Sequence, residues 1–193
     1  GINIYGKNDT GPTNNVILYS RSKDNTQQFD VRLQETGQWR PGTDATQSLG
    51  TASYRWNNLY LAGTVRETSD RNQKEQIENI PDEVLDAWAE VNYVQFKYKK
   101  AVAEKGDKAR KHIGLIAQEI YEVFTKHGLD PFEYGILGYD EWEEEQEVVN
   151  ELGEVEQKYR PAGSTWNVSP EECQYLELAL LRRELNKLKG VTS

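Results

Sequence analysis

Ser69 and Lys74 stand five residues apart in the stretch Thr68-Ser69-Asp70-Arg71-Asn72-Gln73-Lys74. A serine hydroxyl is a poor nucleophile until a base takes its proton, and a neutral lysine amine can act as that base. A lysine normally keeps its proton up to about pH 10.4. Desolvation and nearby positive charge favour the neutral form, so such chemistry would depend on folded, assembled surroundings. If a helix begins here, Ser69 is its expected N-cap, and N–H groups at the helix start are suited to hold an oxyanion. As a bare pattern the spacing is common, and it describes a helix cap beside a solvated lysine equally well.

The elements around this pair change character at it. Residues 1–68 carry seven basic and six acidic side chains, a balance of +1; the whole chain stands at −9, which leaves −10 on the remainder. Acidity on that scale repels a phosphate backbone at long range, so no nucleic-acid partner is expected. No run of about 18 apolar residues occurs, and the N-terminus has neither a basic nor an apolar signal region, so no membrane partner is expected either. The single cysteine, Cys173, cannot form an intrachain disulfide and reads as a small buried apolar residue. The chain has no methionine, which implies a piece of a longer polypeptide.

Before the pair, short β-like runs alternate with turn residues: Ile2-Asn3-Ile4-Tyr5 before Gly6, Val16-Ile17-Leu18-Tyr19, Phe29-Asp30-Val31-Arg32-Leu33, then Gly37 and Pro41-Gly42. Too few large apolar side chains fall in these runs to build a core from one copy, so burial between subunits is expected. Tyr54, Trp56 and Tyr60 recur at even spacing, which puts them on one face of a strand. That row could serve as a carbohydrate platform, but packing against a neighbouring chain is the commoner use.

After the pair the pattern becomes helical. Pro81-Asp82-Glu83 opens a helix with Val84, Leu85, Trp88 and Val91 on one face. Val94, Phe96 and Tyr98 alternate as a strand, a charged loop leads to Gly106, and Leu115, Ile116, Ile120, Val123 and Phe124 predict an amphipathic helix ending near Gly128. Residues 140–156 hold nine acids and no basic residue, which predicts either a mobile acidic loop or a solvent-exposed hairpin turning near Gly153. The calcium-loop pattern is absent, and neither a metal nor a cofactor is expected. Ser169-Pro170-Glu171-Glu172 has the form of a capping box before a C-terminal helix. On that helix Leu178, Leu181, Leu185 and Leu188 recur as an interhelical seam would.

Several ordered segments between residues 48 and 188 resemble the C-terminal intramolecular chaperone domain of phage tail spikes, tail fibres and neck appendages, endosialidase tail spikes among them. They are the S-L-G-x-x-x-x-R-W-x-x-L-Y lead-in at 48–60, G-T-V at 63–65, S-D-x-x-x-K-E-x-I at 69–77, F-x-Y at 96–98, H-I-G-L-I-A-Q-E at 112–119 and the leucine-rich last helix. The resemblance implies an α+β chain. Residues 1–68 would be the end of a β-stranded trimeric stalk, and residues 69–193 a mixed helix and strand chaperone with a projecting arm near 140–165 and a long C-terminal helix. It implies a homotrimer that helps the preceding stalk of the same polypeptide to fold and is then released by self-cleavage. Ser69 would be the nucleophile and Lys74 the base, with Thr68 and Asp70 flanking the cut. Resemblance favours the Ser69–Asp70 bond, whereas a simple N-to-O acyl shift would break Thr68–Ser69. His112 and Gln118 are accessory candidates, His112 equally readable as a structural histidine. Arg182 and Arg183 read as surface or intersubunit contacts. The stalk would belong to the virion tail, and the chaperone part would be made in the host cytoplasm and released before or during assembly. The alternatives are a non-catalytic trimerisation module and a carbohydrate-binding tip.

Overall fold

The architecture was read from a computed structural model, which describes residues 2–3, 16–21, 28–34, 36–150 and 152–190. Two compact units divide the chain, Gly1–Leu59 and Tyr60–Ser193.

In the first unit, β1 (Ile2–Asn3), β2 (Val16–Arg21), β3 (Gln28–Leu33) and β4 (Trp39–Pro41) form one antiparallel sheet in chain order. The register pairs Ile2 with Leu18, Val16 with Leu33, and Leu33 with Trp39. The β-like runs of the sequence therefore become strands, while residues 4–6 lie outside the described set. Gly37, at φ +80°, makes the turn between β3 and β4, a conformation that favours glycine. Among the described residues of this unit no hydrophobic side chain is buried; the buried side chain is Asp30, which accepts a hydrogen bond from Arg32.

Residues 48–69 carry no strand. The even spacing of Tyr54, Trp56 and Tyr60 predicts one, but a strand needs a partner ladder and, among the described residues, none pairs with this segment. The three rings are exposed, Tyr60 at 88%.

The second unit holds the core. Helix α1 (Asp82–Trp88) packs against α3 (Ala117–Lys126) and the long α4 (Pro170–Leu188). Val84, Leu85, Ala87 and Trp88 bury against Ile120, Phe124, Cys173 and Leu176, and Ile136 and Leu137 close the cluster. Trp88 Nε1 donates to Glu177 at 3.0 Å, satisfying the indole that burial would otherwise leave without a partner. Arg183, whose side chain is 12% exposed, bridges from α4 to Asp82 and Asp86 on α1. It is thus an intrachain clamp rather than the surface or intersubunit contact its sequence context suggests.

Short antiparallel pairs surround these helices. β5 (Val94–Phe96) pairs with β6 (His112–Gly114), and β7 (Leu137–Trp142) pairs with β10 (Gly163–Val168). Beyond that pair the chain continues as β8 (Val148–Val149) and β9 (Val155–Gln157), which turn at Asn150–Glu154 with Gly153 at φ +80°. Of the two readings of the acidic stretch, the hairpin is the one present. Between β5 and β6 the expected charged loop is instead a helix, α2 (Lys99–Lys105), ended by Gly106. Its lysines and alanines have good helix propensity but mark no apolar face, which hides it from a periodicity search. Helix α3 begins at Ala117; of the two residues expected within it, Ile116 is its N-cap in extended backbone and Leu115 precedes it and packs on the core. Ser169 is the N-cap of α4 but its side chain makes no capping hydrogen bond, so the capping box is not formed; Pro170 and the acids of the first turn remain.

Candidate functional site

Residues 68–74 run exposed along the surface of the second unit. Asp70, in extended backbone at φ −74° and ψ 129°, caps a single 3-10 turn, Arg71–Gln73. Its carboxylate accepts from the Asn72 backbone N–H at 2.9 Å and from Asn72 Nδ2 at 3.0 Å, an Asx-type closure. Gln73 N donates to the Asp70 carbonyl at 3.0 Å, and Lys74 N donates to the Arg71 carbonyl at 3.2 Å. The expected N-cap, Ser69, is therefore displaced by one residue in favour of Asp70.

This turn solves the reach problem posed by a five-residue separation. Lys74 returns to extended backbone at φ −122° and ψ 140°, and its Nζ donates to Ser69 Oγ at 2.8 Å. That is within the range over which a proton can pass between a nucleophile and its base. Thr68 lies immediately before the pair in the same exposed segment.

The accessory candidates sit elsewhere on the unit. His112 is half-buried at the start of β6, where its ring stacks on Phe96 at 5.8 Å and meets Tyr98 edge-on at 4.9 Å. Gln118 is exposed in the first turn of α3. Among the described residues no hydrogen bond joins either of them to Ser69 or Lys74. Asn72 was not singled out by sequence reasoning; the signal for it is an Asp followed two residues later by an Asn just before a lysine, an Asx-turn spacing. Cys173 is no second nucleophile: burial first, then the charge of Glu172, pushes its thiol up to about 11. Among the described residues no group of three or more His, Cys, Asp or Glu side chains is arranged to hold a metal. No helix there is long and apolar enough to cross a membrane.

Residues 69–129, which begin at this serine, match the peptidase family described as chaperone of endosialidase. A solved structure titled as a novel intramolecular chaperon is 47% identical to the chain, covering 62% of it and 99% of that structure, with a TM-score of 0.57. The chain belongs to the chaperone of endosialidase family. Membership makes it an intramolecular chaperone and carries, at the family level, a serine-peptidase activity. The tail spike protein of Escherichia virus K5 is 40% identical over 151 residues, 77% of this chain and 23% of that protein. The capsule K3-specific depolymerase 1 of Klebsiella phage KP32 is 33% identical over 145 residues, 75% of this chain and 14% of that protein. The chain thus spans less than a quarter of the length of these curated relatives. The carboxy-terminal domain of the bacteriophage T5 L-shaped tail fibre, solved with its intramolecular chaperone domain, shares the fold at a TM-score of 0.75 over 95% of this chain and 46% of that structure. At 23% identity that likeness concerns architecture alone.

Proposed function

We propose that this chaperone trimerises, guides the folding of the β stalk that precedes it in a phage tail spike or tail fibre, and is then released by cutting its own chain beside Ser69. The observation that carries the proposal is the 2.8 Å contact between Lys74 Nζ and Ser69 Oγ at the first residue of the family match. With the amine neutral, Lys74 takes the hydroxyl proton as Ser69 Oγ attacks a peptide carbonyl. The tetrahedral adduct collapses to an ester and a free amine, and water hydrolyses the ester. Attack on the Thr68 carbonyl closes a five-membered ring and breaks Thr68–Ser69. Attack by Ser69 on its own carbonyl would close a strained four-membered ring, so cutting at Ser69–Asp70 requires water or a neighbouring chain. The pair is exposed in a single chain, and assembly would supply the desolvation that favours a neutral lysine.

Trimerisation is supported by two apolar surfaces that a single chain leaves in water. Leu178, Leu181, Leu185 and Leu188 line α4 at 49–84% exposure, and Leu49, Trp56, Leu59 and Tyr60 of the lead-in are also exposed. The released stalk would remain in the virion tail.

The test is intact mass and denaturing gel mobility of freshly folded wild type beside Ser69→Ala and Lys74→Ala. Wild type is expected to split into two pieces whose masses identify the broken bond, and both variants to stay whole. Three uncut chains would leave a non-catalytic trimerisation module.

A further inference from the structure

The turn that joins Ser69 to Lys74 has no core beneath it. Its three residues, Arg71–Gln73, bury no side chain, and the whole of residues 67–80 is exposed. A 3-10 turn this short has no longer helix to support it, so bonds made within the segment hold it. Two are backbone bonds, Gln73 N to the Asp70 carbonyl at 3.0 Å and Lys74 N to the Arg71 carbonyl at 3.2 Å. Two more converge on one atom, Asp70 Oδ1, which accepts from the Asn72 backbone N–H at 2.9 Å and from Asn72 Nδ2 at 3.0 Å. The backbone N–H would be there with almost any residue at 72; the second donor belongs to the asparagine side chain. Position 72 is also one that the S-D-x-x-x-K pattern leaves open.

The second donor matters because of what Asp70 would otherwise do. It stands next to the nucleophile and four residues before the base, and an ionised carboxylate is a strong partner for an ammonium. A carboxylate against Lys74 Nζ would favour the charged amine, which cannot take the Ser69 proton. It would also draw Nζ from Ser69 Oγ, which Nζ reaches at 2.8 Å. The other charged groups of the segment are Arg66, Glu67, Arg71, Glu75 and Glu78, and among the described residues Lys74 forms no ion pair with any carboxylate. Lys74 is extended, which turns the next side chain, Glu75, to the opposite side. No helix or strand of the unit packs closely on the turn. Asp70 is thus the carboxylate placed to compete for the base, and Asn72 is the side chain that occupies it.

We propose that Asn72 is a positioning residue for self-cleavage: its side-chain amide holds the Asp70 carboxylate in the turn and off Lys74, leaving the lysine amine to Ser69. The inference rests on the Ser69–Lys74 pair of the proposed function and deepens it. Asn72 makes no hydrogen bond to the nucleophile or the base and acts through Asp70.

The experiment follows cleavage of the whole chain after refolding, by intact mass against time at a series of pH values, for wild type and Asn72→Ala. The variant is expected to cut up to about 100-fold more slowly at neutral pH and to need a higher pH to reach half its own maximal rate. Circular dichroism and sedimentation should not change, because Asn72 is exposed and lies outside the core. A second readout needs no cleavage. In Ser69→Ala, trace acetylation by acetic anhydride reports how much of the Lys74 amine is neutral at each pH. Adding Asn72→Ala is expected to move that curve to higher pH, and adding Asp70→Asn as well to bring it back. Cutting at the wild-type rate, an equal slowing at every pH, or an acetylation curve that stays in place each overturns the role of Asn72 while leaving the Ser69–Lys74 pair standing. Wild type that stays whole overturns self-cleavage and the role of Asn72 together.

Discussion

Ser69 and Lys74 meet because the four residues between them are folded into one turn, and the sequence carries the spacing more plainly than the turn. The separation of five suits no regular helix, so the pair is legible as a possibility only through the motif around it. The Asp70–Asn72 closure that brings the ends together is a local side-chain to backbone bond with no periodicity to reveal it. His112 was readable as a site residue or a structural one; its ring contacts with Phe96 and Tyr98 give it packing work of its own. Cys173 yields a direct prediction. With its thiol pushed up to about 11, it should resist alkylation at pH 8 in the folded chain and label rapidly in denaturant, as read by mass. Labelling at equal rates in both states would contradict its burial. Glu90 supplies a pH dependence. Hydrogen bonds from Lys126 and then His127 hold its carboxyl below the ordinary 4.5. A carboxyl lowered in the fold contributes stability that is complete above its unfolded value and is lost as pH falls through the lowered one. Glu90→Gln should therefore lower Tm at pH 7 and change it little well below pH 4, as thermal scans at the two pH values would show.

At the scale of elements, the clearest sequence patterns became helices where an apolar face meets a core. α1, α3 and α4 were legible from Val84, Leu85 and Trp88, from Ile120 and Phe124, and from the proline and leucines of 170–188. α2 was not, because its stability does not come from a buried face in this chain. The strand expected over Tyr54–Tyr60 fails for the converse reason: alternation describes a side-chain pattern, while a strand exists only when another backbone accepts its hydrogen bonds. Trp88 is 1% exposed and joins all three helices. Trp88→Ala should cost about 3–5 kcal/mol of unfolding free energy, measured by denaturant titration. The leucines of α4 should behave oppositely. Leu181→Asp with Leu185→Asp, at sites 49% and 53% exposed, is expected to leave helical circular dichroism unchanged while abolishing the oligomer in sedimentation. Loss of helix instead would place those leucines in the core.

For the whole molecule, the division of apolar burial is uneven. Every buried hydrophobic side chain among the described residues lies in Tyr60–Ser193, so the second unit carries a core of its own, whereas under the proposed function the β unit would draw on burial between subunits. Thermal unfolding followed by tryptophan fluorescence should therefore depend on protein concentration for the β unit, which holds Trp39 and Trp56, more than for the core around Trp88. The leucine stripe of α4 has one more consequence. It follows every other element in chain order, so a ribosome exposes it only after the core, the hairpin and the Ser69 segment have already emerged. A chain that stops short of residue 178 lacks the stripe altogether, so the proposed trimer contact would form only between chains translated through α4.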